Sequence, residues 1–199
     1  MSRSYKVVLA SGNAHKLEEL RRILPALQIE ALGRDDAPPE DGDTYEENAR
    51  RKARWGRRHA PDDAWAVGED SGIEVDALEG RPGIHSARWD ADPIRRMVAE
   101  LDGRNDRACR YRCVMIALSA AGDELVAEGE LAGSVARGPR GTEGFGYDPL
   151  FVSDGETRTV AELGDGWKAE HSHRARAARA LAELIAGLGE ASLAPTTLR

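Results

Sequence analysis

A chain of 199 residues, 41% hydrophobic and 32% charged with a formal net charge of -7, carries enough apolar material for one buried core or for two lobes sharing a sheet. Nothing in it approaches the roughly 18 consecutive apolar residues of a membrane helix, and Met1-Ser2-Arg3-Ser4-Tyr5-Lys6 leads into a strand without a signal-peptide core, so a cytoplasmic protein with no membrane partner is expected. The acidic balance argues against a nucleic-acid partner, and an anionic ligand has to be met by a local cluster of Lys and Arg.

The predicted elements alternate. Residues 5–10 read as a buried strand, and residues 15–24 as a helix with Leu17, Leu20, Ile23 and Leu24 at helical spacing, ending at Pro25. Residues 27–32 form a second strand, residues 33–42 an acidic loop, and Thr44 opens a helix running to about His59. Next come two apolar runs, 64–67 and 73–78, parted by Gly68-Glu69-Asp70-Ser71-Gly72, where the glycines are expected to turn the backbone sharply. A Gly/Pro loop over 79–86 and a short helix over 93–101 follow. Residues 110–119 and 124–135 read as a hairpin about Ala121-Gly122-Asp123, residues 138–149 as a glycine-rich loop, and residues 173–188 as the last helix. The expectation is one domain of two lobes over residues 1–190 and a flexible tail over 191–199. Cys109 and Cys113 share one strand without CxxC spacing and are expected to be buried free thiols.

Four stretches carry candidate chemistry. Glu69 and Asp70 at a strand break are costly unless they hold a cation or a proton, although the same pentapeptide could be a plain acidic turn. Glu47 at a helix start could face them and complete a hard-cation site of three carboxylates and several waters, or it could close a capping box with Thr44; Lys52 follows one turn on. Ser11-Gly12-Asn13-Ala14-His15-Lys16 joins the first strand to the first helix, so its amides, the helix dipole and Lys16 could grip a phosphate, or Ser11 or Asn13 could serve only as an N-cap. In Phe145-Gly146-Tyr147-Asp148 the aromatics could stack a purine and Asp148 could accept from ring N–H groups, or the loop could anchor the core. Lys168 and the amides of His173 and Arg174, after the N-cap residue Ser172, would surround a second anion or carbonyl site.

Taken together, Ser11-Gly12-Asn13 with Lys16, Glu47-Asn48-Ala49 with Lys52-Ala53, Glu69-Asp70-Ser71-Gly72, Gly80-Arg81-Pro82-Gly83 with Ser86-Ala87-Arg88, Pro139-Arg140-Gly141, Phe145-Gly146-Tyr147-Asp148-Pro149, Thr159 with Ala161-Glu162, and Lys168 with Ser172-His173-Arg174 make eight ordered blocks. In that order they resemble the inosine/xanthosine triphosphate pyrophosphatases over about residues 5–185. The resemblance implies an α/β fold with an elongated, curved mixed sheet flanked by helices, two lobes about a central cleft, and a homodimer. It implies Asp70 as the catalytic carboxylate, Glu47, Glu69 and Asp70 as Mg²⁺ ligands, residues 11–16 with Lys52 and Ser71 on the phosphates, and Phe145, Gly146, Tyr147, Asp148, Lys168, His173 and Arg174 around the base. The chain departs from that pattern at Ser11, His15, His85 and His171.

The implied reaction is attack of water on the α-phosphorus of a non-standard purine nucleoside triphosphate (ITP, dITP, XTP), giving the monophosphate and pyrophosphate. Donors around the 6-position would donate to the oxygen of hypoxanthine or xanthine and oppose the amino group of adenine. Other readings are a pyrophosphatase for modified pyrimidine nucleotides, a nucleotide-binding regulator without turnover, and a serine hydrolase built on Ser71, for which the GxSxG elbow is missing.

Overall fold

The computed structural model describes residues 5–34 and 36–191. Its elements are β1 (Lys6–Leu9), α1 (Ala14–Ile23), β2 (Gln28–Ala31), α2 (Tyr45–Arg57), β3 (Ala64–Val75), two 3-10 turns (Asp76–Leu78 and Gly83–Arg88), α3 (Pro93–Glu100), β4 (Ala108–Leu118), β5 (Glu124–Val135), β6 (Phe151–Ser153), α4 (Val160–His171) and α5 (His173–Ala191). The strands form one curved mixed sheet in the order β2-β1-β3-β4-β5-β6, with β1 parallel to both β2 and β3 and the later pairs antiparallel. The α/β class with helices flanking a mixed sheet is thus as expected.

Alternation along β4 divides the core between two faces. Cys113, Met115 and Ala117 pack with Val7, Leu20 and Leu181 under α1 and α5, whereas Val114 and Ile116 pack with Ala49 and Ala53 under α2. A further cluster around Ile73, Leu101, Tyr111, Leu150 and Phe151 fills the far end of the long strands. Both cysteines are free and buried, and burial pushes the Cys109 thiol up to about 12.

The principal departure from the sequence expectation is β3. It does not break at residues 68–72 but runs unbroken for 12 residues, and neither Gly68 nor Gly72 has a positive φ. The glycines serve close approach instead. A Cβ on Gly68 would lie 2.0 Å from the Ala49 carbonyl oxygen and 2.4 Å from the Ala53 nitrogen, and one on Gly72 would lie 2.2 Å from the Gly83 carbonyl oxygen. Gly129 gives α5 the same intimacy with β5, since a Cβ there would lie 2.1 Å from the His173 carbonyl oxygen. Three further differences are smaller. Helix α4, kinked at Gly164 (φ 87°), and strand β6 were not foreseen, and α5 continues past residue 188 to Ala191, the first residue of the expected tail. Residues 192–199 of the expected tail lie outside the described residues. No helix among the described residues is long and apolar enough to cross a membrane.

Candidate active site

Strand β1 ends beside Val67, while β3 continues to Val75, so among the described residues no strand lies against that edge of the second half of β3, which has only an isolated bridge from Glu74 to Pro82. Val67 turns its carbonyl to that edge and accepts from Ala10 N–H at 2.8 Å, the Glu69 carbonyl accepts from Lys52 Nζ at 3.0 Å, and Ile73 N–H donates to Ser86 Oγ at 2.9 Å. By alternation the N–H and C=O of Ser71 point the same way. The loop from β1 to α1 arrives at this opening, at the point where the strand order reverses, which is where open α/β sheets form ligand crevices.

In that loop Asn13 is the N-cap, its Oδ1 accepting from His15 N–H at 3.0 Å and Lys16 N–H at 3.4 Å, and Asn13 N–H donates to Ser11 Oγ at 3.2 Å. The cap therefore uses the amides of His15 and Lys16, leaving those of Gly12 and Ala14 and the side chain of Lys16 for an anion. Lys16 Nζ sits 2.7 Å from Glu69 Oε2, an ion contact without hydrogen-bond alignment.

Because β3 is continuous, Glu69 and Asp70 lie on opposite faces of the sheet. Glu69 faces α1 and α5, with Arg174 Nη2 3.1 Å from Oε1. Burial alone would raise its pKa, but Lys16 and Arg174 overcome that and hold it well below the carboxylate range. Asp70 faces α2, where Asn48 Nδ2 donates to Oδ2 at 3.1 Å and Lys52 Nζ to Oδ1 at 3.1 Å. Burial, helped by Glu40 and Glu69, raises the Asp70 pKa against the pull of Lys52 and Lys16, which makes it the more basic of the two carboxylates. The Lys52 pKa is raised in turn, since Asp70 and Glu40 outweigh its desolvation.

Glu47, Glu69 and Asp70 are therefore not brought together. Glu47 is exposed and accepts from Asp43 N–H at 2.9 Å, one residue before the Thr44 amide expected of a capping box, while Thr44 Oγ1 does accept from Glu47 N–H at 3.1 Å. Among the described residues no group of three or more His, Cys, Asp and Glu could hold a metal ion. The carboxylate that joins Asp70 is Glu40, in ion contact with the same Lys52 ammonium and held at 2.9 Å by Arg88 Nη1. Two hard carboxylates at one end of an open crevice suit a magnesium ion that takes its remaining ligands from phosphates and water, the mode in which Mg²⁺ is usually bound.

On the other face a cavity of about 260 Å³ is lined by Lys16, Ser71, Tyr111, Phe145, Tyr147 and His173, among others. Phe145 has Lys168 Nζ 4.5 Å and the Arg174 guanidinium 5.5 Å from its ring centroid, and the His15 ring stacks on it at 5.3 Å. Tyr147 is buried and donates to the Ser86 carbonyl at 3.1 Å, so it both anchors the core and walls the cavity. Asp148 is already engaged, accepting from Phe145 N–H at 2.8 Å, Tyr111 Oη at 3.2 Å and Lys168 Nζ at 2.6 Å. Burial raises its pKa despite Lys168. Ser172 caps α5 by accepting from Ala175 N–H at 3.1 Å, and the first bond of the helix runs from Arg176 N–H to the Ser172 carbonyl, so the amides of His173 and Arg174 come before the helix's own bonds. Gly146 has φ +63° and no atom within 4 Å of a Cβ, the open position of the loop.

His173 stacks on Tyr111 at 4.5 Å, and its buried Nδ1 has no hydrogen-bond partner among the described residues. Burial, with Arg174 and Lys168 adding, depresses its pKa well below 6.5. The folded state thus resists a proton that the unfolded chain accepts, so this group's stabilisation is complete above pH 6.5 and is lost as pH falls below it. Urea titrations should show wild type losing about 1 kcal/mol more than His173→Gln between pH 6.5 and 5.5. Parallel losses in the two proteins would mean that His173 is protonated in the fold.

The residues that sequence reasoning did not assign are Glu19, Glu40 and Tyr111, together with the bond from Asn48 to Asp70. Asn48 lay inside a recognised block. Glu19 bonds Arg174 across 155 positions, a pairing with no local signature.

The Ham1 family model matches residues 7–184. A dITP/XTP pyrophosphatase of Symbiobacterium thermophilum is 46% identical over 196 residues, covering 93% of this chain and 98% of its own, and one of Bdellovibrio bacteriovorus is 39% identical over 192 residues, covering 89% and 96%. Among solved structures, the Staphylococcus aureus Ham1 protein superposes with a TM-score of 0.78 at 31% identity over 94% of this chain and 99% of its own. A nucleoside-triphosphatase / dITP/XTP pyrophosphatase from Mycobacterium abscessus gives 0.68 at 38% identity over 92% and 99%.

Proposed function

The chain belongs to the Ham1 family, and from that premise we propose that it hydrolyses non-standard purine nucleoside triphosphates, ITP, dITP and XTP, to the monophosphate and pyrophosphate. The observation that carries this reading is the stretch of β3 edge about Ser71, beyond the end of β1, which lies between a basic carboxylate, Asp70, on one side and a cavity containing an aromatic ring flanked by cations, Phe145, on the other. A nucleotide laid across that edge sets its base on Phe145 and its phosphates along Ser71, Lys16 and the loop of residues 11–16.

Asp70 takes a proton from a water as its oxygen attacks the α-phosphorus, the α–β anhydride bond breaks, and pyrophosphate leaves. Asn48 and Lys52 hold the carboxylate in place for this step. Lys52 and Lys16 oppose the charge that develops on the phosphates. Glu40 and Asp70 would hold Mg²⁺, which when bound neutralises phosphate charge. The base is read by donors. Lys168 and the amides of His173 and Arg174 donate to a 6-oxygen and stay unpaired against adenine's amino group, a mismatch worth about 10⁴-fold where a site is built to hydrogen-bond its substrate. A homodimer in the cytoplasm is part of the same proposal; the dimer rests on the family resemblance and the location on the sequence expectation above.

The chemical half of the proposal is tested by pyrophosphate release from ITP. Release should require Mg²⁺ or Mn²⁺, vanish in excess EDTA and return when the metal is restored, since no soft ligand flanks Asp70 and Glu40. Undiminished turnover in EDTA would contradict it.

A further inference from the structure

Behind the base cavity lies a closed set of buried charges. Glu19, on α1, puts Oε2 on Arg174 Nη1 and Oε1 in ion contact with Lys168 Nζ, so one carboxylate ties the phosphate-side helix to α4 and α5. Lys168 continues to Asp148, and Arg174 to Glu69 and to Ser71 Oγ at 2.9 Å, while Lys16 closes the chain on Glu69. Three cations (Lys16, Lys168, Arg174) thus face three carboxylates (Glu19, Glu69, Asp148), and apart from Lys16 every member is 7% exposed or less. Neighbouring groups add no net charge: His173 is held neutral by burial, burial also pushes up the Tyr111 hydroxyl and the Cys113 thiol, which lies 3.4 Å from Glu69 Oε1, and Arg22 pairs with Asp165 at the outer rim. Lys52 pairs with Asp70 on the other face of the sheet, and the exposed His15 ring stacks on Phe145 at the mouth of the cavity, outside the cluster.

Hypoxanthine and xanthine differ in charge as well as in a 2-oxygen. The second carbonyl of xanthine acidifies its ring N–H, so that its nucleotides carry a partly anionic base near neutral pH while hypoxanthine stays neutral. We infer that Glu19 is a positioning residue that sets this chain's choice between the two: by completing a neutral cluster around Lys168 and Arg174, it withholds the net positive charge that would favour the anionic base. The inference rests on the reading above, in which the base lies on Phe145 beside Lys168.

Glu19→Gln keeps the shape and removes the charge, leaving the cluster one unit positive. At pH 7.5 the XTP:ITP ratio of kcat/KM should rise by about tenfold, the scale of one uncompensated charge about 12 Å away at an effective dielectric constant of about 20. At about pH 5, where xanthine is neutral, the rise should vanish. Glu19→Asp, which keeps the charge, should leave the ratio within about twofold of wild type even if both rates fall. A carboxylate that merely supports the fold would lower XTP and ITP turnover together, and an unchanged ratio in folded Glu19→Gln overturns the inference. Should that variant not fold, wild type alone decides: its XTP:ITP ratio should fall as pH rises from about 5 to 8, and a flat ratio overturns the inference. A wild type that favours neither nucleotide over ATP overturns the underlying reading instead, so the two failures are distinguishable.

Discussion

Asp70→Asn is expected to lower kcat for ITP by at least about 10²-fold while the protein folds normally. An amide keeps the size of the carboxylate, and its oxygen can still accept from Lys52 Nζ, 3.1 Å away in the native site. Asn48 can rotate its own amide to face the new one. What is lost is the only basic oxygen of the pair Glu69 and Asp70, because Glu69 is committed to Lys16 and Arg174 on the other face of the sheet. Comparing kcat with the melting temperature separates chemistry from folding. An activity within a few-fold of wild type in a folded protein would reduce Asp70 to a structural acceptor.

Gly68→Ala should have the largest effect on stability. The added methyl would fall 2.0 Å from the Ala49 carbonyl oxygen and 2.4 Å from the Ala53 nitrogen. Both are backbone atoms in the middle of α2, so relief demands that the whole helix lift off β3. Overpacking that side chains can absorb costs 1–3 kcal/mol, and here about 3 kcal/mol or more is expected. The lifted helix carries Asn48 and Lys52, so activity should fall together with stability. Gly166→Ala, in a helix with nothing within 4 Å of the new methyl, is the control, and it should be neutral or stabilising by up to about 1 kcal/mol. Equal urea midpoints for the two variants would mean that α2 does not rest on Gly68.

These two results turn on the same misreading of the sequence. Gly68 and Gly72 flanking two acids suggested a turn because glycine's commonest local meaning is conformational freedom. Their role here is to have no Cβ, which becomes visible only once α2 and the second 3-10 turn are laid on the strand. The error propagated, since a turn would have let Glu69 and Asp70 point together, whereas a strand must send them to opposite faces. Elements with a strong period, such as α1, α2, β4 and β5, were legible within a few residues, the caps Thr44 and Ser172 could be read from residue type alone, and the cap of α1 was narrowed to Ser11 or Asn13, of which the structure uses Asn13. The weak elements were not. Strand β6 has three residues, and α4 is interrupted by Gly164. Nor were the long-range charge partners, because nothing near Glu19 or Glu40 in sequence says that Arg174, Lys168 or Lys52 will meet them.

The central claim, that the cavity beside Phe145 selects a purine by its 6-oxygen and that the chemistry at Asp70 breaks the α–β bond, is tested most directly by one assay. Wild-type protein with Mg²⁺ is given ITP, dITP, XTP, GTP, ATP and a modified pyrimidine triphosphate, and pyrophosphate, orthophosphate and monophosphate are quantified together. The account predicts pyrophosphate and monophosphate in equal amounts, with kcat/KM for ITP, dITP and XTP exceeding that for ATP by about 10⁴-fold. Orthophosphate with diphosphate as the products, or a rate for ATP or the pyrimidine nucleotide equal to that for ITP, would contradict it.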